Sequence, residues 1–314
     1  MQRVLSTYRY VNQTLSPALL TEVAHAGFTQ LEIFASPSHF HYRDPKSLRD
    51  VAESLEENRL TLHSVHAPTE RNRAVSRESG IPISISDPER VRRLDAVDEI
   101  KWALEIAEQI PFNLLVQHMG HGRQLADGRR IDAAFNSLEH LEIFAKQRGV
   151  TIALENTPGE LGSPLTLHQF IADTHLHGLR LCLDLGHAHI EDGIQASLDA
   201  MHERVINLHV HDNHGEKDEH LVPLADESEL KAGEARSRDN SSRGSAIAPG
   251  KRIDWDATLK LLASTPLGVA FESLPFVLEL KEQAASSTPT LGQMRAAFDR
   301  LEERLEATKR EQGR

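Results

Sequence analysis

Short apolar runs alternate with longer amphipathic stretches along the whole chain. Each short run has the length of a buried strand, and each longer stretch repeats its apolar residues at helical spacing. The predicted strands are residues 3–8, 28–34, 60–66, 114–118, 150–156, 179–184, 205–211 and 268–272. Alternation of this kind predicts a parallel sheet with helices packed outside it.

Two helix starts carry a recognisable signal. Ser16-Pro17 and Asp87-Pro88-Glu89 each combine an N-cap residue with a proline in the first turn. Further helices are predicted at 47–58, 131–148, 167–175, 194–202, 254–263 and 291–307. Eight strand–helix units favour a closed (β/α)8 TIM barrel over an open doubly wound sheet. We therefore expect one domain over residues 1–314, with its active site at the C-terminal ends of the strands.

Two polar segments interrupt this rhythm. Residues 71–86 and 225–248 both follow predicted strands, so we expect both on the C-terminal rim of the barrel. The second is rich in Ser, Glu, Arg and Asp, and it is expected to be a mobile insert, either a lid or a disordered segment. The charged tail of the chain is expected to be a solvated helix end.

Composition narrows the class of protein. The chain of 314 residues has no apolar run long enough for a membrane helix, and its start lacks the apolar region of a signal peptide. We therefore expect a cytoplasmic protein.

The residue types present limit the kinds of site. The one cysteine of the chain, Cys182, excludes an internal disulfide and a cysteine-based zinc site. The net charge of −12 argues against binding to nucleic acid or anionic membranes. The 18 histidines favour an imidazole–carboxylate metal site.

Candidate metal ligands stand at the ends of six successive predicted strands. They are His66, His118, Glu155, Asp184 with His187, His209 with His211, and Glu272, and the loop after the seventh strand adds Asp218 and His220. A barrel brings these ends to one mouth. Asp184 and His187 flank Gly186, which suits a tight turn. His209 and His211 share one strand face, so spacing does not decide which of them is a ligand. Carboxylates and imidazoles suit Mn²⁺, Zn²⁺, Co²⁺ or Fe²⁺.

The most distinctive motifs at these strand ends are ALEN, DLGHAH, HVHDNHGEKDEH and PGKRIDW. With them the chain resembles the xylose isomerase-like TIM-barrel superfamily, and the resemblance covers residues 1–305. That superfamily includes sugar and sugar-phosphate isomerases and epimerases, and also endonuclease IV-like apurinic-site nucleases. For the epimerase branch, the resemblance implies Glu155, Asp184, His209 and Glu272 as ligands of a divalent ion, Mn²⁺ or Zn²⁺. It also implies that the two glutamates transfer the proton and that His187 contacts substrate.

For the endonuclease branch, the resemblance implies a three-zinc site with nine ligands. Matched motif by motif, these are His66, His118, Glu155, Asp184, His187, His209, Asp218, His220 and Glu272. All nine residue types are present, so more than one metal ion can bind. No metal-ligand position is lost, which argues against a barrel that has lost its catalytic activity and only binds a molecule.

Five residues are candidates for contact with substrate: His187, His211, Glu32, Arg71 and Arg123. His211 either contacts substrate or orients a ligand, and Glu32 either contacts substrate or is structural. Arg71 and Arg123 lie on predicted rim loops. They are either solvated or recognise a phosphate or carboxylate.

Two functions follow. The first is a metal-dependent isomerase or epimerase of a sugar or sugar phosphate, in which Glu155 and Glu272 transfer a proton through an enediolate. The alternative is an apurinic-site phosphodiesterase with several zinc ions. The acidic charge opposes the second, and the loop after His66 has no aromatic or large apolar wedge for a base stack. We favour a small carbohydrate over nucleic acid as partner. The oligomeric state stays open, a homo-oligomer included.

Overall fold

The computed structural model describes residues 1–70, 82–225, 251–282 and 288–311. Eight parallel strands close into a barrel in sequence order, with β1 paired to β8. The strands are β1 (Gln2–Ser6), β2 (Gln30–Phe34), β3 (Thr61–His66), β4 (Leu114–His118), β5 (Thr151–Glu155), β6 (Arg180–Asp184), β7 (Val205–Val210) and β8 (Pro275–Leu278). The predicted (β/α)8 TIM barrel is confirmed.

Helices link successive strands on the outside of the barrel. They are α1 (Pro17–His25), α2 (Pro45–Glu57), α3 (Arg90–Glu105), α4 (Gly128–Lys146), α5 (Pro164–Thr174), α6 (Leu185–Ile190), α7 (Ile194–Met201), α8 (Trp255–Ser264) and α9 (Leu291–Glu311). The Ser16-Pro17 signal begins α1 as predicted, because the Ser16 side chain accepts a hydrogen bond from the Leu19 amide and Pro17 is the first helical residue. Helix α9 runs to Glu311, beyond its predicted end.

The prediction of the eighth strand at residues 268–272 is wrong. That segment leads into a 3-10 turn at Phe271–Ser273, and β8 begins at Pro275. Both runs are apolar and both are followed or ended by a glutamate, so the pattern alone does not separate them. Only the second pairs with β1 and β7, and proline is tolerated at the first position of a strand.

The chain after β6 also differs from the sequence prediction. Residues 185–190 form the short helix α6 rather than a tight turn. Asp184 Oδ1 caps this helix by accepting from the His187 amide at 2.6 Å. The cap therefore makes Asp184 and His187 neighbours at the mouth of the barrel.

Along β4 and β5, the residues inside the barrel change from apolar to potential metal ligands. Residues two apart share a face, so Leu114 and Val116 lie below His118, and Ala153 lies below Glu155. Leu114, Val116, Ala153 and Cys182 form one buried cluster. A larger buried cluster includes the helix residues Leu20, Leu104 and Phe298. The barrel mouth thus stands on a packed apolar base.

The two polar segments lie largely outside the described residues, which omit 71–81 and 226–250. Their position on the rim, the mobility of the second and the role of Arg71 therefore remain predictions. Among the described helices, none is both long and apolar enough to cross a membrane.

Candidate active site

Four strands bring four side chains that could bind a metal ion to one point at the barrel mouth. Glu155 is the last residue of β5, Asp184 the last of β6, His209 the fifth residue of β7, and Glu279 directly follows β8. Each offers one donor atom, and these four atoms all lie within 4.8 Å of one another. We call these four residues the primary cluster.

The primary cluster fits a divalent cation. His209 Nδ1 lies 3.3 Å from Glu155 Oε1, 3.5 Å from Glu279 Oε2 and 3.9 Å from Asp184 Oδ2. Ligands about 2.0–2.1 Å from one tetrahedral ion lie about 3.3–3.4 Å apart, and the two shorter distances, 3.3 and 3.5 Å, are close to that value. Glu155 Oε1 and His209 Nδ1 are buried and have no hydrogen-bond partner. An ion between them would satisfy both atoms.

Glu272, the fourth ligand expected from the sequence, does not reach this cluster. It lies in the 3-10 turn before β8, and its side chain is exposed. Glu279, seven residues later, is buried in the cluster instead. The placement of Glu272 at the end of the eighth strand is therefore wrong, because it followed from the misplaced strand. The run PFVLEL also has apolar residues followed by a glutamate, so the sequence offered Glu279 as an alternative to Glu272 but gave no reason to prefer it.

Two further histidines contact the other oxygen of Glu155. His66 at the end of β3 and His118 at the end of β4 each place Nε2 at 3.1 Å from Glu155 Oε2. His66, Glu155 and His209 form a second group that could hold a metal ion. His66 Nδ1 lies 2.9 Å from the Ala67 carbonyl, which fixes its ring. Glu155 thus lies between two sets of potential ligands.

A third group, which we call the outer cluster, lies towards the rim. It consists of His187, His211, Asp218 and His220. Asp218 Oδ2 is 3.0 Å from His220 Nε2, and Asp218 Oδ1 is 3.6 Å from His187 Nε2. The His211 and His220 rings stack with centroids 3.9 Å apart. His220 has a φ of 50°, a conformation unusual for a residue other than glycine and typical of functional sites.

Sequence spacing did not decide whether His209 or His211 is the metal ligand, and the structure places the two in different groups. His209 lies in the primary cluster, whereas His211 lies in the outer one. His211 Nε2 is also 3.1 Å from Asp184 Oδ2, so it joins the two clusters through that carboxylate.

The charges of these groups compensate one another. Burial alone would raise the pKa of Glu155, but His209 and His118 outweigh it and hold the pKa well below the usual range. Burial is likewise outweighed at Glu279, where His209 and His220 lower the pKa to about 2. Conversely, burial would lower the pKa of His209, but the carboxylates of Glu155, Glu32 and Glu279 raise it well above its ordinary value. Protons on imidazoles therefore neutralise the carboxylates in the absence of another cation.

Hydrogen bonds hold the strand ends that carry the clusters. The Asn156 side chain donates to the Asp184 carbonyl at 3.0 Å and accepts from the Asp184 amide at 2.7 Å, which locks β6 to the end of β5. Asp212, buried after β7, accepts from Trp255 Nε1 and Arg252 Nε, both at 3.0 Å. Its backbone also forms an antiparallel bridge with Leu221. Residues 252–255 of the motif PGKRIDW therefore anchor the loop that bears the outer cluster.

The remaining substrate candidates lie in different surroundings. Arg123 is 64% exposed and forms an ion pair with Glu191 on the rim. Glu32 is fully buried on β2 and lies beside His209. A cavity of about 250 Å³ borders His187, and Asn156, Ser163 and Glu191 are among its other lining residues. A larger cavity of about 670 Å³ lies between α7 and α8, and its lining includes no residue of the three groups described above.

Comparisons with known proteins agree with this architecture. The chain is 28% identical over 228 residues to the uncharacterized protein MJ1311 of Methanocaldococcus jannaschii, covering 69% of this chain and 72% of that protein. The crystal structure of a D-tagatose 3-epimerase-like protein superposes with a TM-score of 0.71 at 22% identity, covering 99% of both chains. The IolI protein with a binding zinc atom gives a TM-score of 0.68 at 16% identity, covering 98% of this chain and 99% of that one. These likenesses in structure show the fold.

A sequence profile of one family spans most of the chain. It is described as "Xylose isomerase-like TIM barrel" and matches residues 20–304, which includes all three ligand groups. The protein belongs to the xylose isomerase-like TIM-barrel family.

Proposed function

We propose that the protein is a metal-dependent isomerase or epimerase of a sugar or sugar phosphate. The observation that carries the proposal is the primary cluster, in which two buried glutamates and two further ligands surround one point at the barrel mouth. Solved structures of similar fold include a D-psicose 3-epimerase in the presence of D-fructose and an L-ribulose 3-epimerase. Those names support a ketose as the class of substrate.

A divalent cation held by Glu155, Asp184, His209 and Glu279 would polarise the carbonyl and the neighbouring hydroxyl of a ketose, and would thereby acidify the C–H bond of the carbon that bears this hydroxyl. Glu155 and Glu279 both have a lowered pKa, so both are carboxylates that can accept a proton at neutral pH. They come from β5 and the end of β8, three strands apart around the barrel.

The proposed reaction divides the proton transfer between these two glutamates. One carboxylate removes the proton from the carbon next to the carbonyl, which leaves an enediolate. The other glutamate takes up a proton from solvent and delivers it to the opposite face of the same carbon, which gives an epimer, or to the neighbouring carbon, which gives an isomer. The first glutamate then releases the abstracted proton to solvent. His187 belongs to the outer cluster and also lines the adjoining cavity, so we assign it to binding the hydroxyl groups of the substrate.

Solvent exchange tests this proposal. The protein loaded with Mn²⁺ or Zn²⁺ is incubated in deuterated water with a panel of ketoses and ketose phosphates, and deuterium at carbon is measured by NMR. We expect exchange with at least one substrate and a loss of about 10²- to 10⁴-fold in Glu279→Gln. Glu272→Gln is the matched control and should exchange like wild type. Absence of exchange over the whole panel, with either metal, would rule the proposal out.

The outer cluster favours one second candidate, a phosphodiesterase acting on apurinic sites. Its four ligands, together with His66 and His118 beside the primary cluster, could hold more than one ion, and clustered ions can hold phosphate oxygens and activate a hydroxide. The net charge of −12 opposes a DNA substrate. Metal analysis of the purified protein separates the two: three zinc ions favour the nuclease, and one Mn²⁺ favours the epimerase. Nicking of an apurinic duplex in the presence of zinc would establish the second candidate.

A further inference from the structure

Glu32 is a buried acid next to the primary cluster but not part of it. It lies on β2, two residues before the end of that strand, and its side chain is fully buried. The pairing of β2 with β3 shifts register between Leu31 and Glu32, which sets Glu32 opposite Ser64. The Ser64 hydroxyl donates to Glu32 Oε2 at 2.8 Å. One neutral hydroxyl compensates little of the cost of burying a carboxylate, so a stronger donor is expected beside it.

The imidazole of His209 is that donor. Its Nε2 lies 3.3 Å from Glu32 Oε2, on the side of the ring away from the metal ligands. Its Nδ1 has no hydrogen-bond partner and lies between 3.3 and 3.9 Å from the carboxylates of Glu155, Glu279 and Asp184. The ring thus has one carboxylate on its Nε2 side and three on its Nδ1 side.

When a cation binds Nδ1, the His209 ring is neutral, and only one neutral tautomer then satisfies both sides of the ring. A neutral imidazole has one N–H and one lone pair, and a carboxylate can only accept. If Nε2 carries the proton, it donates to Glu32, and the Nδ1 lone pair points into the primary cluster where a cation can bind it. The opposite tautomer would set the Nε2 lone pair against Glu32 Oε2, and Nδ1 could no longer bind a metal ion.

We propose that Glu32 is a positioning residue that accepts the Nε2 proton of His209 and thereby presents Nδ1 of His209 to a divalent cation. The inference rests on the proposed function in one respect, since it takes His209 as a metal ligand. It assigns Glu32 to a ligand rather than to the substrate, because its carboxylate lies behind His209. Carboxylates that hold the far nitrogen of a metal-binding histidine contribute about 10- to 100-fold to metal affinity.

The test measures metal binding without turnover. Co²⁺ is titrated into the metal-free protein and followed by its visible absorption, and the component that disappears in Glu279→Gln identifies the primary cluster. We expect Glu32→Gln to weaken this component about 10-fold, because the amide keeps an acceptor but loses the charge, and Glu32→Leu to weaken it about 100-fold. Ser64→Ala keeps the Glu32–His209 contact and should change the affinity less than threefold.

NMR of protein with ¹⁵N-labelled histidine supplies a readout that a merely structural role would not move. In the zinc-loaded protein, we expect His209, assigned by its loss in His209→Gln, to carry its proton on Nε2. The shift of that proton should move upfield in Glu32→Gln, since an amide is a weaker acceptor than a carboxylate. Because Gln matches Glu in size, this variant reports even if Glu32→Leu does not fold.

The outcomes separate this inference from the proposed function. If the wild-type protein binds neither Co²⁺ nor Zn²⁺, the proposed metal-dependent function fails. If it binds the ion but Glu32→Gln binds equally well, the role of Glu32 is refuted while the metal site stands. A His209 proton found on Nδ1 in the zinc-loaded protein would likewise overturn the assignment.

Discussion

His39 is a buried histidine outside the ligand groups, and it makes the stability of the protein depend on pH. Its side chain is fully buried, and its Nδ1 lies 2.6 Å from the Gln13 carbonyl. Burial lowers its pKa from 6.5 to about 4, because the charged form loses its hydration. The unfolded chain therefore binds a proton below about pH 6.5 that the folded protein does not bind until about pH 4.

The sign of the effect follows from this difference. The contribution of His39 to stability is complete above pH 6.5 and is lost as the pH falls towards 4, by at most about 3 kcal/mol. In His39→Asn the amide nitrogen can replace Nδ1 without titrating. We expect the unfolding free energy of this variant, from urea titrations at pH 7 and pH 4.5, to fall less than that of wild type. An equal fall in both proteins would contradict the assignment, since all other titrating groups are shared.

Gly186 is required because His211 packs against its Cα. A Cβ at this position would lie 2.0 Å from His211 Cε1, whereas a Cβ on Gly128 would meet nothing within 4 Å. We expect Gly186→Ala to lose about 1–3 kcal/mol of unfolding free energy and to displace His211 from the outer cluster. Gly128→Ala, the control at the start of α4, should be neutral or gain up to about 1 kcal/mol. Urea unfolding of both variants checks this, and equal effects would contradict it.

Some site residues could be placed from the sequence, and others could not. Glu155 and Asp184 could be placed because each ends an apolar run that has no competitor nearby. Glu272 and Glu279 each follow an apolar run, only seven positions apart, and the choice depends on which run pairs with β1. That pairing joins residues more than 270 positions apart, so no local pattern reports it. Glu32 could be recognised as a candidate, but its contact with His209 depends on closure of the barrel.

At the scale of elements, Asp212 connects the end of β7 with the segment that leads into α8. It is buried and accepts from Arg252, Trp255 and the Ile253 amide. In Asp212→Asn, an amide would face the donors of Arg252 and Trp255. We expect a loss of about 2–4 kcal/mol in unfolding free energy, because a partly buried guanidinium loses its partner.

Asp256 provides the matched control for Asp212. It lies on α8 and also pairs with an arginine, Arg304, but both side chains are more than half exposed. Asp256→Asn should cost less than about 1 kcal/mol, since exposed ion pairs contribute little. Urea unfolding of the two variants under the same conditions makes the comparison. Similar losses at both positions would show that Asp212 does not act as an anchor.

Elements with strong local signals could be predicted closely, and those set by contacts could not. Strand β4 coincides with its prediction at residues 114–118, and α1 begins at its serine–proline signal. Helix α6 was missed because Asp184, Gly186 and His187 suggested a turn, whereas the Asp184 cap continues the chain as a helix. Its six residues are too few to show helical periodicity.

At the scale of the whole molecule, the acidic excess and the histidines belong together. Part of the net charge of −12 is concentrated in Glu155, Asp184 and Glu279 at the barrel mouth, beside His66, His118 and His209. Pairing of β1 with β8 closes the barrel around this site, which supports our proposal that residues 1–314 form one domain. An ion bound by the primary cluster would bridge the four successive strands β5 to β8, and because β8 pairs with β1, its binding should stabilise the entire barrel.

Removal of metal should lower the thermal stability of the protein through the primary cluster. An ion that binds only the folded state stabilises it by about 4 kcal/mol at 1,000 times its Kd. For a chain of this size, we expect chelation by EDTA to lower the Tm by about 5–15 °C. The shift should shrink at lower pH, because protons compete with the ion for His209, whose pKa is raised. Calorimetry of Glu272→Gln should reproduce the wild-type shift, while Glu279→Gln should lose most of it. An equal shift in both variants would mean that the stabilising ion binds elsewhere.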